Sequence, residues 1–196
     1  MKIVGLCGGS GAGKGFVGQI FADGGIPVID TDAVYHGLVS GKSPCLDELR
    51  ATFGDGIIAH DGSLDRVKLA AIAFSDEHNH KMLNKIAHRH VLDKVREIIS
   101  ELESDGARAV LVDAPMLFES GFDSECDLVI GVIADEKTRL KRIIERDGIS
   151  EERAIARISS QLPNDELIKR CDVIIENNGT DSLFGRVSEI RTLIMK

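Results

Sequence analysis

The chain has 196 residues, a length that suits one domain with a sizeable hydrophobic core. Its composition, 43% hydrophobic and 29% charged, is ordinary for a soluble globular protein. The formal net charge of −8 argues against a non-specific nucleic-acid or anionic-membrane surface, because both favour basic patches. No stretch approaches the ~20 apolar residues that span a bilayer, and the four cysteines form no CxxC pair. We therefore expect a cytoplasmic protein with neither a nucleic-acid nor a membrane partner.

Short apolar runs alternate with longer helical patterns along the chain, which is typical of βαβ units and of a mainly parallel sheet covered on both faces. Five buried strands are predicted, at Lys2–Cys7, Ile26–Ile29, Ala109–Asp113, Asp127–Ile133 and Asp172–Ile175. Helices are predicted beside them, at Lys14–Ala22, Glu136–Arg146, Glu151–Gln161 and Asp181–Met195. The pattern indicates the α/β class.

The pattern changes between Val34 and Asp105, where no convincing buried strand is found. Two helices are predicted in this region, Leu64–Phe74 and His80–Leu102, and the second carries one apolar stripe at steps of three and four residues. An insertion between two core strands is a natural place for an acceptor-binding subdomain. It is equally explained by a helical cap that only covers the sheet, and the pattern leaves both open.

The strongest motif is the glycine-rich segment Gly8–Lys14, which follows the first strand and opens the first helix. Its spacing, G-x-x-x-x-G-K, is that of a P-loop. Glycines allow successive backbone N–H groups to point at phosphate oxygens, and the N-terminus of the following helix also favours an anion. Lys14 adds a positive charge for the β- and γ-phosphates. The segment therefore predicts a nucleotide phosphate site rather than a flexible turn with a surface lysine.

One position departs from the usual P-loop. The motif commonly ends in Ser or Thr, whose hydroxyl binds Mg²⁺, whereas Gly15 occupies that position here. Water or another side chain would have to supply the missing ligand. Since Mg²⁺ keeps several waters in proteins, this loss is compatible with metal use.

Carboxylates follow two of the predicted strands. Asp30 and Asp32 come at the end of the second strand, and ligands of open α/β sheets bind at the carboxyl ends of strands. Phosphoryl transfer to an alcohol needs a group that orients the hydroxyl and accepts its proton, so one of the pair is expected to be catalytic. Asp30 could instead cap a helix that starts near Ala33. Asp113, at the end of the third strand, has the form of a Walker B acid.

Three arginines, Arg139, Arg142 and Arg146, recur at helical steps after the fourth strand. A guanidinium matches the oxygens of a transferring phosphoryl group. The same spacing also suits a solvated face paired with Glu136 and Glu145, and the residues alone slightly favour that second interpretation.

Beyond the P-loop, a set of short motifs resembles the dephospho-CoA kinase family. The matches run through residues 3 to 179 in the family's order. They are Gly5–Lys14, Val28–Asp32, Gly62–Arg66, Phe74, His88, Pro115–Glu119, Arg142 with Arg146 and Asp147, Arg157 with Gln161, Asp172–Ile174 and Asn177–Gly179.

The resemblance implies a P-loop NTPase-type fold, a three-layer α/β/α domain with a five-stranded parallel sheet over residues 1–196. It also implies a helical CoA-binding insertion at about 35–106 and a lid at about 136–165. The implied activity is transfer of the γ-phosphate of ATP to the ribose 3′-hydroxyl of dephospho-CoA, the last step of coenzyme A biosynthesis, with Mg²⁺ as cofactor. A monomer or weak homo-oligomer is expected.

By position, the resemblance assigns roles to individual residues. The catalytic residues are Asp32 as general base, Lys14 on the transferring phosphate and Arg142 from the lid. Asp32 is also the expected metal residue, either directly or through water. The ATP-binding residues are Gly11, Ala12, Gly13, Lys14, Gly15 and Phe16, and the acceptor-binding residues are Asp32, His88 and Leu117.

Two alternatives stay open. The chain could phosphorylate another small acceptor, such as a nucleoside monophosphate, or it could be a nucleotide-binding module that lost turnover with the change to Gly15. Asp32 and the arginines argue against the second alternative, since binding alone needs no base. Arg89 follows His88 where the family usually has Pro, so the backbone there is expected to differ.

Overall fold

The fold is described from a computed structural model, which describes residues 1–179 and 183–195. The described residues form two compact units, one made of residues before Asp30 and after Glu101 and the other of Asp30–Glu101. The first unit contains the sheet, and the second is helical.

The sheet has five strands in the order β2-β3-β1-β4-β5. Their bounds are β1 Lys2–Gly8, β2 Val28–Asp30, β3 Ala109–Asp113, β4 Leu128–Ile133 and β5 Val173–Glu176. The register pairs β1 in parallel with both β3 and β4, and β4 in parallel with β5. Because β1 is central, its carboxyl end and the P-loop lie in the middle of the sheet edge, where ligands of such sheets bind.

The helices of the first unit cover the sheet in a three-layer α/β/α arrangement. They are α1 Lys14–Asp23, α6 Glu136–Asp147, α7 Glu151–Ser159, α8 Asn164–Arg170 and α9 Leu183–Ile194. The main core cluster joins apolar residues of α1 and α9, including Phe21 and Ile190, to Leu6 of β1 and Ile130 of β4. This packing holds the start of α1, and therefore the P-loop, against the sheet.

Local capping fixes the ends of the helices that follow β4. Asp135 caps α6 by accepting a hydrogen bond from Thr138 N at 2.8 Å, and Gly148 ends that helix at φ 61°. Ser150 then caps α7. An oxygen side chain at the first position and a glycine after the last are common helix boundaries.

The second unit is built from four helices and a short 3₁₀ helix. They are α2 Thr31–Val39, α3 Pro44–Phe53, the 3₁₀ helix Asp55–Ile57, α4 Arg66–Ala73 and α5 Glu77–Ser104, whose last three residues belong to the first unit. They surround a separate apolar cluster that includes Leu46, Leu49, Ile57 and Ile86. Within residues 34–105, the structure has an isolated β-bridge between Ile58 and Leu64 and no strand. The prediction that this region contains no buried strand is therefore confirmed.

The bounds of most predicted elements shift by one to three residues in the structure, and some elements differ more. Helices α3 and α8 were not predicted, because α3 interrupts a polar region and α8 buries only Leu167. Helix α7 ends at Ser159, two residues earlier than predicted. Helix α5 continues through Arg89 without a break, and the expected difference from the family's backbone at that residue stays a prediction. The predicted start of the last helix, at residue 181, lies outside the described residues.

None of the helices within the described ranges has the length and apolar character needed to cross a membrane.

Candidate phosphate-binding site

The P-loop connects β1 to α1, as its sequence predicts. Gly11 and Gly13 have left-handed φ angles of 79° and 90°, a conformation that side chains other than glycine rarely adopt. A Cβ on Gly13 would also overlap Nδ2 of Asn177, and one on Gly11 would overlap the backbone of Arg139. These two glycines are therefore required both by the turn itself and by the groups packed against it.

Lys14 and Asp113 form an ion pair between Nζ and Oδ1. The side chains are only 16% and 11% exposed, so solvent screens this pair less than a surface pair. Asp113 ends β3, in register with Leu6 of the neighbouring β1. The Walker B-like carboxylate therefore lies beside the P-loop lysine, an arrangement that the sequence could only suggest.

Arg142, on α6, contacts the backbone of the P-loop. Its Nη1 donates to Gly11 O at 3.2 Å and to Asn177 O at 2.9 Å. Asn177 in turn donates from Nδ2 to Ala12 O at 2.9 Å. These bonds use carbonyl oxygens of the loop and none of its N–H groups, although Ser10 N, Ala12 N and Phe16 N donate to other acceptors.

Arg139, one turn earlier on α6, is 4% exposed. Its Nε donates to Ser10 O at 2.9 Å and its Nη2 to Gln161 Oε1 at 2.8 Å. Gln161 Oε1 also accepts from Ser10 N at 2.9 Å. Burial lowers the pKa of Arg139 from its usual value, because the charged form loses hydration.

Arg146 completes the basic face of α6. Its Nη2 donates to Ser10 Oγ at 3.3 Å, and its Nε donates to Asp147 at 2.7 Å. Hydrogen bonds from Arg146, and then from Arg157, lower the pKa of Asp147 to about 2. All three arginines of the predicted face thus touch the P-loop, and the alternative of a wholly solvated face is wrong.

A cavity of about 380 Å³ opens beside Gly13. Arg142, Asn177 and Gly179 line it on one side, and Phe16 and Phe184 line it on another. The two phenyl rings meet edge to face, with centroids 6.2 Å apart and planes at 86°. A polar rim joined to an aromatic wall next to a phosphate loop suits a nucleoside.

A second cavity, of about 190 Å³, lies at the ends of β1 and β3. Met116, Phe118 and Glu119 line it, together with Gln161. Leu117 has a fully buried side chain that packs towards Gly5, so its neighbours, not Leu117 itself, line this cavity. The acceptor-binding role of Leu117 stays a prediction.

Two small residues, Ala12 and Gly15, complete the predicted ATP-binding residues of the first unit. Ala12 is buried, and Gly15 is exposed in the first turn of α1 with open space where a side chain would project. The sequence-predicted ATP residues Gly11 to Phe16 are thereby all located on one loop and helix start.

The helical unit carries the other predicted residues. Asp30 caps α2, because its Oδ1 accepts from Asp32 N at 2.9 Å and Ala33 N at 3.2 Å. Asp32 is exposed in the first turn of α2, and His88 is half-buried in α5. Of the two carboxylates, Asp30 therefore has a structural role, and Asp32 is left available to solvent.

Within the described ranges, no group of three or more His, Cys, Asp or Glu side chains could hold a metal ion. Mg²⁺ is usually bound through one or two carboxylates together with substrate phosphates, so a cluster of three protein ligands is not needed to bind it.

Two functional contacts were missed from the sequence. Gln161 stood out only as part of the family resemblance, and Arg139 only as one of three arginines. The sequence offers little indication of these contacts, because the hydrogen bond between Gln161 and Ser10 joins positions 151 residues apart. Such a bond produces no periodic pattern in the sequence.

Comparison with known proteins identifies similar chains over the full length. A family model described as dephospho-CoA kinase matches residues 2–182. A dephospho-CoA kinase from Corynebacterium glutamicum is 38% identical over 191 residues, which are 97% of this chain and 96% of that protein.

Solved structures give the same result. The crystal structure of a protein from Thermus thermophilus has a TM-score of 0.86 at 30% identity, covering 100% of this chain and 98% of that one. Dephospho-CoA kinase from Campylobacter jejuni has a TM-score of 0.73 at 26% identity, with the same coverage of 100% and 98%. The range matched by the family model, residues 2–182, spans the P-loop, α6 and Gln161.

Proposed function

The chain belongs to the dephospho-CoA kinase family, and from that premise we propose that its P-loop binds the triphosphate of ATP while Asp32 receives the proton of the acceptor's ribose 3′-hydroxyl. The observation that carries the proposal is the loop itself. Gly11 and Gly13 are held in left-handed turns, and Lys14 is held at the base of the loop by Asp113.

The proposed reaction is a direct transfer. The 3′-oxygen of dephospho-CoA forms a bond to the γ-phosphorus of ATP, and the bond from that phosphorus to the β,γ-bridging oxygen breaks. ADP leaves with the bridging electrons, and Asp32 takes the hydroxyl proton. The products are coenzyme A and ADP.

The P-loop and the residues around it are proposed to have separate roles in this reaction. Within the segment Gly11–Phe16, the amides of Ala12 and Phe16 donate to carbonyl oxygens of the loop, and the other amides donate to phosphate oxygens at the start of α1. The helix dipole adds to that attraction. Lys14 exchanges its contact with Asp113 for the phosphates or shares both. Arg142 supplies further positive charge beside the same amides, and His88 and the residues around Leu117 are proposed to bind the acceptor.

The nucleoside of ATP is proposed to occupy the cavity of about 380 Å³ beside Gly13. Phe16 and Phe184 give it an aromatic wall, and Asn177 gives it polar groups. The adenine base would bury apolar surface against these two rings, which favours binding without a charged partner.

Mg²⁺ is the proposed cofactor, carried in with the phosphates of ATP. Asp32 would hold it directly or through water, because Gly15 offers no oxygen. When bound, the ion neutralises charge on the phosphates. The cytoplasmic location and the monomeric or weakly oligomeric state stay predictions.

A panel of acceptors tests the proposed function. With ATP and Mg²⁺, we expect ADP to form rapidly with dephospho-CoA and much more slowly with AMP or a simple sugar at equal concentration. Coupled measurement of ADP checks this. A preference for AMP would indicate a nucleoside monophosphate kinase, and tight ATP binding without turnover of any acceptor would indicate a binding module.

A hydroxyl introduced at residue 15 is expected to change the metal requirement. The space around Gly15 is open, so Gly15→Ser should fold unchanged and supply the missing ligand oxygen. The Mg²⁺ concentration for half-maximal rate should fall, which a titration at saturating ATP measures. Gly15→Ala is the matched control, and a requirement that fell equally in both variants, or rose with Ser, would contradict this account.

A further inference from the structure

The backbone of Ser10 has both of its polar groups occupied by side chains from outside the P-loop. Ser10 N donates to Gln161 Oε1 at 2.9 Å, and Ser10 O accepts from Arg139 Nε at 2.9 Å. Arg139 Nη2 also donates to Gln161 Oε1, at 2.8 Å. The three bonds form a closed ring around one residue of the loop.

The two side chains come from different elements. Arg139 lies on α6, whereas Gln161 lies two residues beyond the end of α7. Because α7 stops at Ser159, Gln161 is outside the helix, and its side chain can reach the loop. The loop is therefore linked to α6 and to the segment after α7, both within the lid range that the family resemblance implies.

Burial of Arg139 at this position is unfavourable for the stability of the fold. It is 4% exposed, and the hydrogen bonds that it makes go to neutral oxygens. Burying a charge costs stability unless another charge compensates it. Its guanidinium lies directly against Gly9, where a Cβ would overlap it, so the charge is fixed at the loop.

We propose that Gln161 and Arg139 are positioning residues that hold the Ser10 peptide, and with it the P-loop, in the conformation that receives ATP. A glycine-rich loop loses much conformational freedom when it binds a ligand, and fixing one of its peptides beforehand reduces that loss. The buried charge of Arg139 also favours an anion in the loop. This inference rests on the proposed triphosphate site.

The test compares Gln161→Ala with Gln161→Glu. Loss of the amide removes both hydrogen bonds to Gln161, so Gln161→Ala should raise the Kd for ATP about 5- to 10-fold, the size of one or two hydrogen bonds. The KM for ATP should rise in parallel, and the KM for dephospho-CoA should stay nearly constant. The Tm should fall only slightly, because the buried Arg139 loses one of its acceptors but keeps Ser10 O. Calorimetry, initial rates and thermal melting measure these quantities.

Gln161→Glu separates geometry from charge. Its carboxylate still accepts from Ser10 N and pairs with Arg139, so the Tm should be kept, but a negative charge now faces the phosphates. The Kd for ATP should therefore rise, and the rise should shrink as salt is added. Gln19→Ala, which removes an exposed glutamine bonded to Asp23 on α1, is the control and should change none of these values.

An unchanged Kd for ATP in Gln161→Ala would overturn the proposal. So would a lowered Tm with equal increases of both KM values, since that pattern indicates a general structural role. If the unsubstituted chain binds ATP but does not phosphorylate dephospho-CoA, the proposed function fails, and the Kd comparison still decides the role of Gln161.

Discussion

Asp32→Asn is expected to lower kcat by about 10²- to 10⁴-fold, the usual contribution of a general base. Asparagine has nearly the same shape as aspartate but cannot accept the proton of the 3′-hydroxyl. Asp32 is exposed in the first turn of α2, so this change should leave folding intact. The Kd for ATP measured without Mg²⁺ should stay within about threefold, because the proposed phosphate contacts come from the P-loop. Steady-state rates with dephospho-CoA and direct ATP binding measure the two effects.

The chain offers a matched control in Asp30. Its carboxylate caps α2, and asparagine caps a helix about as well as aspartate does. Asp30→Asn removes the same charge two residues away and should change kcat by less than about threefold. A large loss in Asp30→Asn with a small one in Asp32→Asn would reverse the roles assigned to these two carboxylates.

The three central strands of the sheet could be predicted from the sequence because most of their residues are buried. All five residues of β3, Ala109–Asp113, are buried, and the predicted and observed bounds agree. The short strand β2 was less well predicted, since it covers Val28–Asp30 and not the predicted Ile26–Ile29, and its last residue also caps α2. A buried strand gives a continuous apolar run in the sequence. The point where a strand ends and a helix cap begins gives almost no pattern.

The phosphate loop could also be predicted, because glycine spacing reports directly on backbone geometry. The groups that hold the loop could not. Arg139, Gln161 and Asn177 reach it through single hydrogen bonds to backbone atoms, and such bonds depend on where separate elements meet. A polar residue that makes one such bond has no partner pattern in the sequence, so only the fold identifies it.

The resemblance to a family and the fold therefore contribute different information. Similarity over the whole chain establishes the family, and through it the reaction. The structure adds which side chains hold the loop in place, as Gln161 and Arg139 do at Ser10. These contacts are specific enough to be tested one at a time.

Lys14→Met is the second change for which we expect a large effect. Methionine keeps the length and apolar stem of lysine but removes the charge that is proposed to follow the transferring phosphoryl group. We expect kcat/KM for ATP to fall by about 10²- to 10³-fold, the typical loss when one stabilising donor is removed from an active site. Lys141→Met, which removes an exposed lysine of α6, is the control and should leave the rate unchanged.

Asp113 allows catalysis and stability to be separated at this position. Lys14 is the ion-pair partner of Asp113, and both side chains are largely buried, so Lys14→Met should also lower the Tm. Adding Asp113→Asn to Lys14→Met removes the negative charge that paired with Lys14, so the double variant should regain part of the Tm. It should not regain the rate, because the cation at the phosphates is still missing. Recovery of the rate together with the Tm would show that Lys14 acts only as a structural partner of Asp113.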